Sequence, residues 1–126
     1  SYDEPLQRLV NAIEPGTYIP PHKHDDSGKL EILVLLRGKA LVVLFDDKGH
    51  ITDHFLLDHD KGHFGVELEP HEWHTVISLE TGTVLFEIKE GPFKPQKAKY
   101  FAEWAPKAPG KEADVYLRSI LEKLKT

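Results

Sequence analysis

Three histidines and one glutamate are the side chains best suited to chemistry in this chain. His22 and His24 flank a single residue, Lys23. In extended backbone, residues two apart point to the same side about 6.5–7 Å apart along the strand. Two imidazoles so placed can converge on one ion, although alone they read equally well as two solvated loop histidines. Glu31 opens an otherwise apolar run and shares its side with Leu33 and Leu35, because side chains alternate along a strand. A carboxylate facing a core is costly to bury unless paired or bound to metal; the plainer reading is a strand-end residue that reaches solvent. His74 begins an alternating segment on the side of Val76 and Ser78, with Trp73 pointing the other way. Imidazole and carboxylate together suit one divalent transition metal ion, Zn, Fe, Mn, Co or Ni, and the lack of thiolate leaves the choice among them open.

Other histidines compete for that role. His71 lies three residues before His74, beside Pro70. A turn there makes strand parity a poor guide, so His71 stays open as a ligand. His71-Glu72-Trp73-His74 is not the helical zinc-protease motif, which needs two residues between its Glu and second His. His50, His54, His59 and His63 stand beside acidic or Gly residues and read as solvated, with a second metal site at His59 and His63 as the weaker alternative.

The elements that must position these residues are strands. Residues 6–14 read as a first strand ended by Pro15-Gly16, and Thr17 to Ile19 as a short extended piece leading to His22. Asp25 to Lys29 is polar, holds Gly28 and reads as a loop. Glu31 to Arg37 and Lys39 to Asp46 are strongly apolar strands parted by Gly38. Asp46-Asp47-Lys48-Gly49 is a hairpin signal. Ile51 to Leu57, Phe64 to Leu68, His74 to Leu79 and Thr83 to Glu90 follow. Short strands at even spacing, with turn residues between them and no interleaved helix, predict an all-β sandwich or barrel. In the Glu31 strand, Ile32, Val34 and Leu36 form a second apolar face. The C-terminal segment or a second subunit must then cover it, which predicts a homodimer. From Gly91 the pattern breaks into an irregular stretch over about 92–111. From Glu112, Ala113, Tyr116, Leu117, Ile120, Leu121 and Leu124 recur at helical spacing, which predicts an amphipathic helix over about 112–125 lying across the barrel.

Composition sets the outer limits. At 126 residues the chain is expected to form one domain. There is no Cys, so disulfides, thiolate metal sites and cysteine nucleophiles are excluded. Lys plus Arg is 16 against 21 Asp plus Glu, a net charge of −5. Without a basic stripe, a nucleic-acid partner is not expected. No run approaches the ~20 apolar residues of a membrane span, and no signal-peptide pattern opens the chain, so a cytoplasmic protein without a membrane partner is expected. The chain contains no Met, which implies a processed, trimmed or replaced start. Eight His is the one anomaly of composition.

Spacing then carries a family resemblance. Gly16, His22-x-His24, Glu31 and Gly38 resemble the first cupin motif, with six residues between His24 and Glu31 where that motif usually has three or four. Gly65 and His74 resemble parts of the second, with Glu69 standing for its Pro, Pro70 shifted by one and His71 in place of its second Gly. Asn11 to Ile19, Leu35-Leu36-Arg37-Gly38, Phe45-Asp46-Asp47, Trp73-His74-Thr75-Val76, Lys89 to Phe93 and Phe101-Ala102-x-Trp104-Ala105-Pro106 resemble the WbuC family of cupin-fold metalloproteins. The resemblance implies a cupin double-stranded β-helix, or jelly-roll, barrel over about 6–91 with a C-terminal amphipathic helix. It also implies a mononuclear metal and an association with bacterial surface-polysaccharide (O-antigen) gene sets.

An ion held by His22, His24, Glu31 and His74 keeps positions open, the mark of a catalytic rather than a closed structural metal. The expected function is a metal-dependent enzyme acting on a small carbohydrate-type metabolite; the alternative is a metal-dependent binding or sensory module without turnover. Phe45, Phe64, Val76, Phe86 and Ile88 are candidates to line the barrel, though not all can face inward. Lys23, Lys29 and Arg37 are read either as attractors of an anionic sugar at the mouth or as plain surface charge. Tyr18 is a weak candidate for a proton donor, and among Glu67, Glu69 and Glu72 nothing places two carboxylates together.

Overall fold

The apolar strands pair into two antiparallel sheets. The computed structural model describes residues 3–24, 30–90 and 99–125. The strands are β1 (Leu6–Ile13), β2 (His22–His24), β3 (Glu31–Arg37), β4 (Lys39–Phe45), β5 (Ile51–Asp58), β6 (Gly65–Leu68), β7 (Trp73–Ser78), β8 (Thr83–Glu90) and β9 (Lys99–Phe101), followed by helix α1 (Lys111–Lys123). One sheet is four-stranded, in the order β1-β8-β3-β6; the other is five-stranded, in the order β5-β4-β7-β2-β9. Strands close in sequence, such as β3 and β4, fall in different sheets, as in a jelly roll. The expected cupin barrel with a C-terminal helix is the observed architecture.

Alternation decides what each strand buries. In β4, Ala40, Val42 and Leu44 turn inward and join Leu33, Leu35, Leu57, Val76 and Leu85 in the barrel core. The intervening Leu41, Val43 and Phe45 turn outward, where with Ile77 they pack against Leu117 and Ile120 of α1. Both faces of β4 are therefore buried. Glu112 and Asp114 in the first turn of α1 and Lys123 in the last match the helix dipole.

Gly38 makes the step from β3 in one sheet to β4 in the other. Its φ is +85°, and a Cβ there would lie 2.4 Å from Thr83 Oγ1 and 2.7 Å from Thr83 Cα. Thr83 Oγ1 in turn donates to the Glu80 carbonyl at 2.7 Å. Only glycine serves both the left-handed backbone and that close approach.

Two expectations of the pattern are corrected. Lys99–Phe101, expected to be irregular, is strand β9 and pairs with β2; three residues are too short for periodicity to register. The helix covers the five-stranded sheet and not the second face of β3, where Leu36 is 50% exposed. The loop at Asp25 to Lys29 and the break at Gly91 lie outside the described residues.

Candidate metal centre

β2 and β7 bring the histidines together. His22 lies directly opposite His74 in the antiparallel pair, so both rings share the inner face, and His24 follows two residues along. Ring centroids are 4.4 Å apart for His22 and His74, 5.5 Å for His22 and His24, and 5.6 Å for His24 and His74. One donor nitrogen from each of the three lies within 4.8 Å of the others. Pro20 carbonyl oxygen lies 2.9 Å from His22 Nδ1, and Glu72 carbonyl oxygen 3.0 Å from His74 Nδ1. A carbonyl can only accept, so these contacts fix Nδ1 as the protonated nitrogen and leave Nε2 with its lone pair toward the centre.

Glu31 reaches the same point from the other sheet. Its Oε1 is 2.9 Å from His24 Nε2 and 3.2 Å from His74 Nε2. The carboxylate is only 4% exposed, and Oε1 accepts no hydrogen bond of proper geometry among the described residues. A buried oxygen left so exposes its full desolvation cost unless something else meets it. Three imidazole nitrogens and one such carboxylate oxygen form a donor set that fits a divalent transition metal. Burial pushes Glu31 up more than any other single influence. The His24 and His74 rings, the Glu87 carboxyl and the charge on His24 outweigh it and hold Glu31 well below the ordinary carboxylate range.

A cavity of about 260 Å³ opens beside this cluster, with His22, Glu31 and His74 in its wall. At about 30 Å³ per water it holds some nine waters, or one molecule the size of a sugar ring. Leu33, Val76 and Leu85 form its apolar side, and Asn11, Glu87 and Lys89 a polar one. Lys89 Nζ lies 3.9 Å from Glu31 Oε2. Asn11 donates from Nδ2 to Glu87 Oε2. Burial, followed by the nearby Glu31, pushes Glu87 up to about 7.

The paired carboxylates of this site are thus Glu31 and Glu87, not any pair of Glu67, Glu69 and Glu72. The sequence reading missed Glu87, although Thr83, Leu85, Glu87 and Lys89 alternate with Val84, Phe86 and Ile88 and put both charged groups on the inner face. Of the five residues weighed for the lining, Val76 borders the cavity. Phe45 packs under α1, Phe64 is 57% exposed, and Phe86 and Ile88 alternate with the inward residues of β8.

The remaining candidates lie elsewhere. His71 is exposed in a turn with φ +69°. His59 Nε2 contacts the Leu35 carbonyl at 2.6 Å and His63 Nδ1 the Leu56 carbonyl at 3.1 Å, so both brace the backbone rather than face each other across an ion. His50 pairs with Asp46 at 3.0 Å. Tyr18 donates to the Pro106 carbonyl at 2.5 Å and sits edge-on to Tyr116; burial pushes it up to about 12. It braces the C-terminal segment. Of the two readings of the basic residues, surface charge fits Lys23 and Arg37: Lys23 Nζ lies 4.7 Å above the Trp73 ring on the outer side, and Arg37 lies beside Gly82, at the end of β3 opposite Glu31. Lys29 is outside the described residues. Among the described residues, Lys89 is the cation in the cavity wall.

A family model described as a domain of unknown function, DUF6016, matches residues 1–57. No curated protein matches the chain. The capsular polysaccharide assembling protein CapF from Staphylococcus aureus superposes with a TM-score of 0.67 at 23% identity, over 80% of this chain and 29% of that one. A dTDP sugar isomerase from Desulfovibrio desulfuricans gives 0.65 at 16% identity, over 85% and 71%. The 3'-monoepimerase ChmJ from Streptomyces bikiniensis, in complex with dTDP, gives 0.64 at 15%, over 94% and 68%. The chain thus spans under a third of the capsular protein but most of either sugar-modifying one. No helix among the described residues is long and apolar enough to cross a membrane. The fold these structures share with the chain is the cupin double-stranded β-helix.

Proposed function

We propose that this protein is a single-domain metal-binding cupin of the WbuC type that acts on a small carbohydrate-type metabolite of bacterial surface-polysaccharide (O-antigen) biosynthesis in the cytoplasm. The observation that carries the reading is Glu31 Oε1, buried and without a proper hydrogen bond, at the focus of His22, His24 and His74. Similarity of fold to a capsular polysaccharide assembling protein and to dTDP-sugar enzymes supports the substrate class.

His22, His24, Glu31 and His74 would hold the ion. Bound there, a divalent metal acts as a Lewis acid on a substrate oxygen and lowers the pKa of bound water. The chain supplies the rest. Leu33, Val76 and Leu85 exclude water from one side of the substrate, and Asn11, Glu87 and Lys89 offer hydrogen bonds to its hydroxyls on the other. The apolar outer face of the four-stranded sheet, with Val10 61% and Leu36 50% exposed, supports a homodimer.

Protein made without a histidine tag should carry close to one equivalent of metal. Zinc or cobalt added to metal-free protein at a hundredfold excess over Kd should stabilise it by about 2.7 kcal/mol. His22→Ala and His74→Ala should abolish both that gain and any turnover in a screen of nucleotide sugars and hydroxy acids. Only traces of metal, with no stabilisation on addition, would overturn the metal reading. Ligand binding without product under every metal would make the protein a binding module instead.

A further inference from the structure

Lys89 is a charged side chain built into the wall of the cavity. It stands directly opposite Glu31 in the register of β3 and β8. Its side chain is only 20% exposed, although an ammonium is costly to bury without partners. Among the described residues, the carboxylate at ion-pair distance from it is Glu31, whose Oε2 lies 3.9 Å from Nζ. That is too long for a hydrogen bond, and the other oxygen of the same carboxyl is turned to His24 and His74. Glu87, two residues away on β8, is engaged by Asn11 instead. The three N–H donors of Lys89 thus meet no acceptor at hydrogen-bond distance among the described residues, and they border a space of about 260 Å³.

Charge decides what suits that space. Glu31 and Glu87 repel an anion from the metal-free cavity. A divalent ion beside Glu31 reverses the balance, since its charge together with Lys89 outweighs the two carboxyls. One ammonium then matches a single negative charge better than the double charge of a phosphate. Leu33, Val76 and Leu85 on the far wall suit the C–H face of a sugar.

We propose that Lys89 is a specificity residue that selects a sugar acid, its ammonium holding the carboxylate of a uronic or aldonic acid while the hydroxyls face the metal side of the cavity. The inference rests on the metal site and the carbohydrate substrate proposed above. Glu31 links the two ends: Oε1 belongs with the imidazole donors and Oε2 faces Nζ, so one small molecule reaches both. The acid group is read inside the barrel, while Lys23 and Arg37 remain surface charge.

The test is equilibrium binding rather than turnover. Zinc-loaded protein is titrated calorimetrically with glucuronate, galacturonate and gluconate, each beside its neutral amide, and with glucose 6-phosphate. At least one acid should bind about tenfold tighter than its amide, a comparison that needs no variant. Lys89→Gln should weaken that acid by roughly 10–100-fold and leave its amide within a few-fold. Its zinc affinity should stay within a few-fold of wild type, with circular dichroism unchanged. Equal affinity for every acid and its amide, or no binding of any acid, would overturn the assignment. So would tighter binding of the phosphate. A preference for the acid that survives in Lys89→Gln would assign the carboxylate to the metal instead, and loss of zinc from Lys89→Gln would reduce Lys89 to a counter-ion of Glu31. All these outcomes leave the metal site standing. A wild-type protein that binds no zinc would overturn the site itself, and the role of Lys89 with it.

Discussion

The two sheets meet the same demand in opposite ways. β4 in the five-stranded sheet and β3 in the four-stranded sheet are both apolar on both faces. On β4 the outer face is sealed: Val43 is 0% and Phe45 5% exposed beneath Leu117 and Ile120 of α1. On β3 the outer residues Ile32 and Val34 are half-buried and Leu36 is half exposed. The inner faces differ too. The sealed sheet supplies rigid packing and places His22 and His74 in register across β2 and β7, whereas the open sheet holds Glu31, Glu87 and Lys89. One sheet fixes the imidazoles and the other carries the ionisable groups that face them. The contacts of Glu31 with His24 and His74 span the gap between the sheets, so the geometry of the centre depends on how the two sheets pack across the shared barrel core.

The largest effect expected from breaking this contrast is on the sealed side. Ile77→Ala and Leu117→Ala each remove a packed side chain between sheet and helix and should cost about 2–5 kcal/mol, measured by urea unfolding. Losses below about 1 kcal/mol would mean that α1 is docked loosely and that the two sheets differ little.

A middling effect lies in the site, and its sign is set by the two carboxyls. Glu87, raised to about 7 against an ordinary 4.5, holds its proton more tightly folded than unfolded. Its contribution to stability is full below 4.5 and lost as pH rises through about 7. Glu31, held low, contributes above the ordinary value of 4.5 and loses that contribution as pH falls. Metal-free protein should therefore unfold at lower urea at about pH 8 than at about pH 5, and Glu87→Gln should flatten that decline. An unchanged slope in the variant would place the titration elsewhere.

The smallest effect on the monomer belongs to the open face. Leu36→Ser should change monomer stability by no more than about 0.5 kcal/mol, since half of that side chain already meets water. If a second copy covers the face, the same substitution should shift the light-scattering mass from dimer toward monomer. A wild-type monomer at all concentrations would remove the support for dimerisation.

Much of this was legible in residue order. Strands β1, β3 and β8 stand within a residue of their expected limits because alternation over seven or eight residues is a strong signal. The spacing of apolar residues from Ala113 onward announced α1, and two-residue spacing put His22 and His24 on one side of a strand. Three-residue β9 was not legible, since its only cause is the pairing it makes with β2. Glu87 alternates visibly with outward Phe86 and Ile88, but alternation alone could not say which face of β8 enclosed the cavity.

Residue types and their order thus determined the barrel, the helix and four donors suited to a metal, because local periodicity and side-chain chemistry are properties of neighbours along the chain. Tertiary structure alone decided that Glu31 meets Glu87 and Lys89, that Lys23 and Tyr18 face away from the centre, and that the helix covers the other sheet. Those outcomes depend on register between strands far apart in sequence. A shift of one residue in that register would turn every inward group outward.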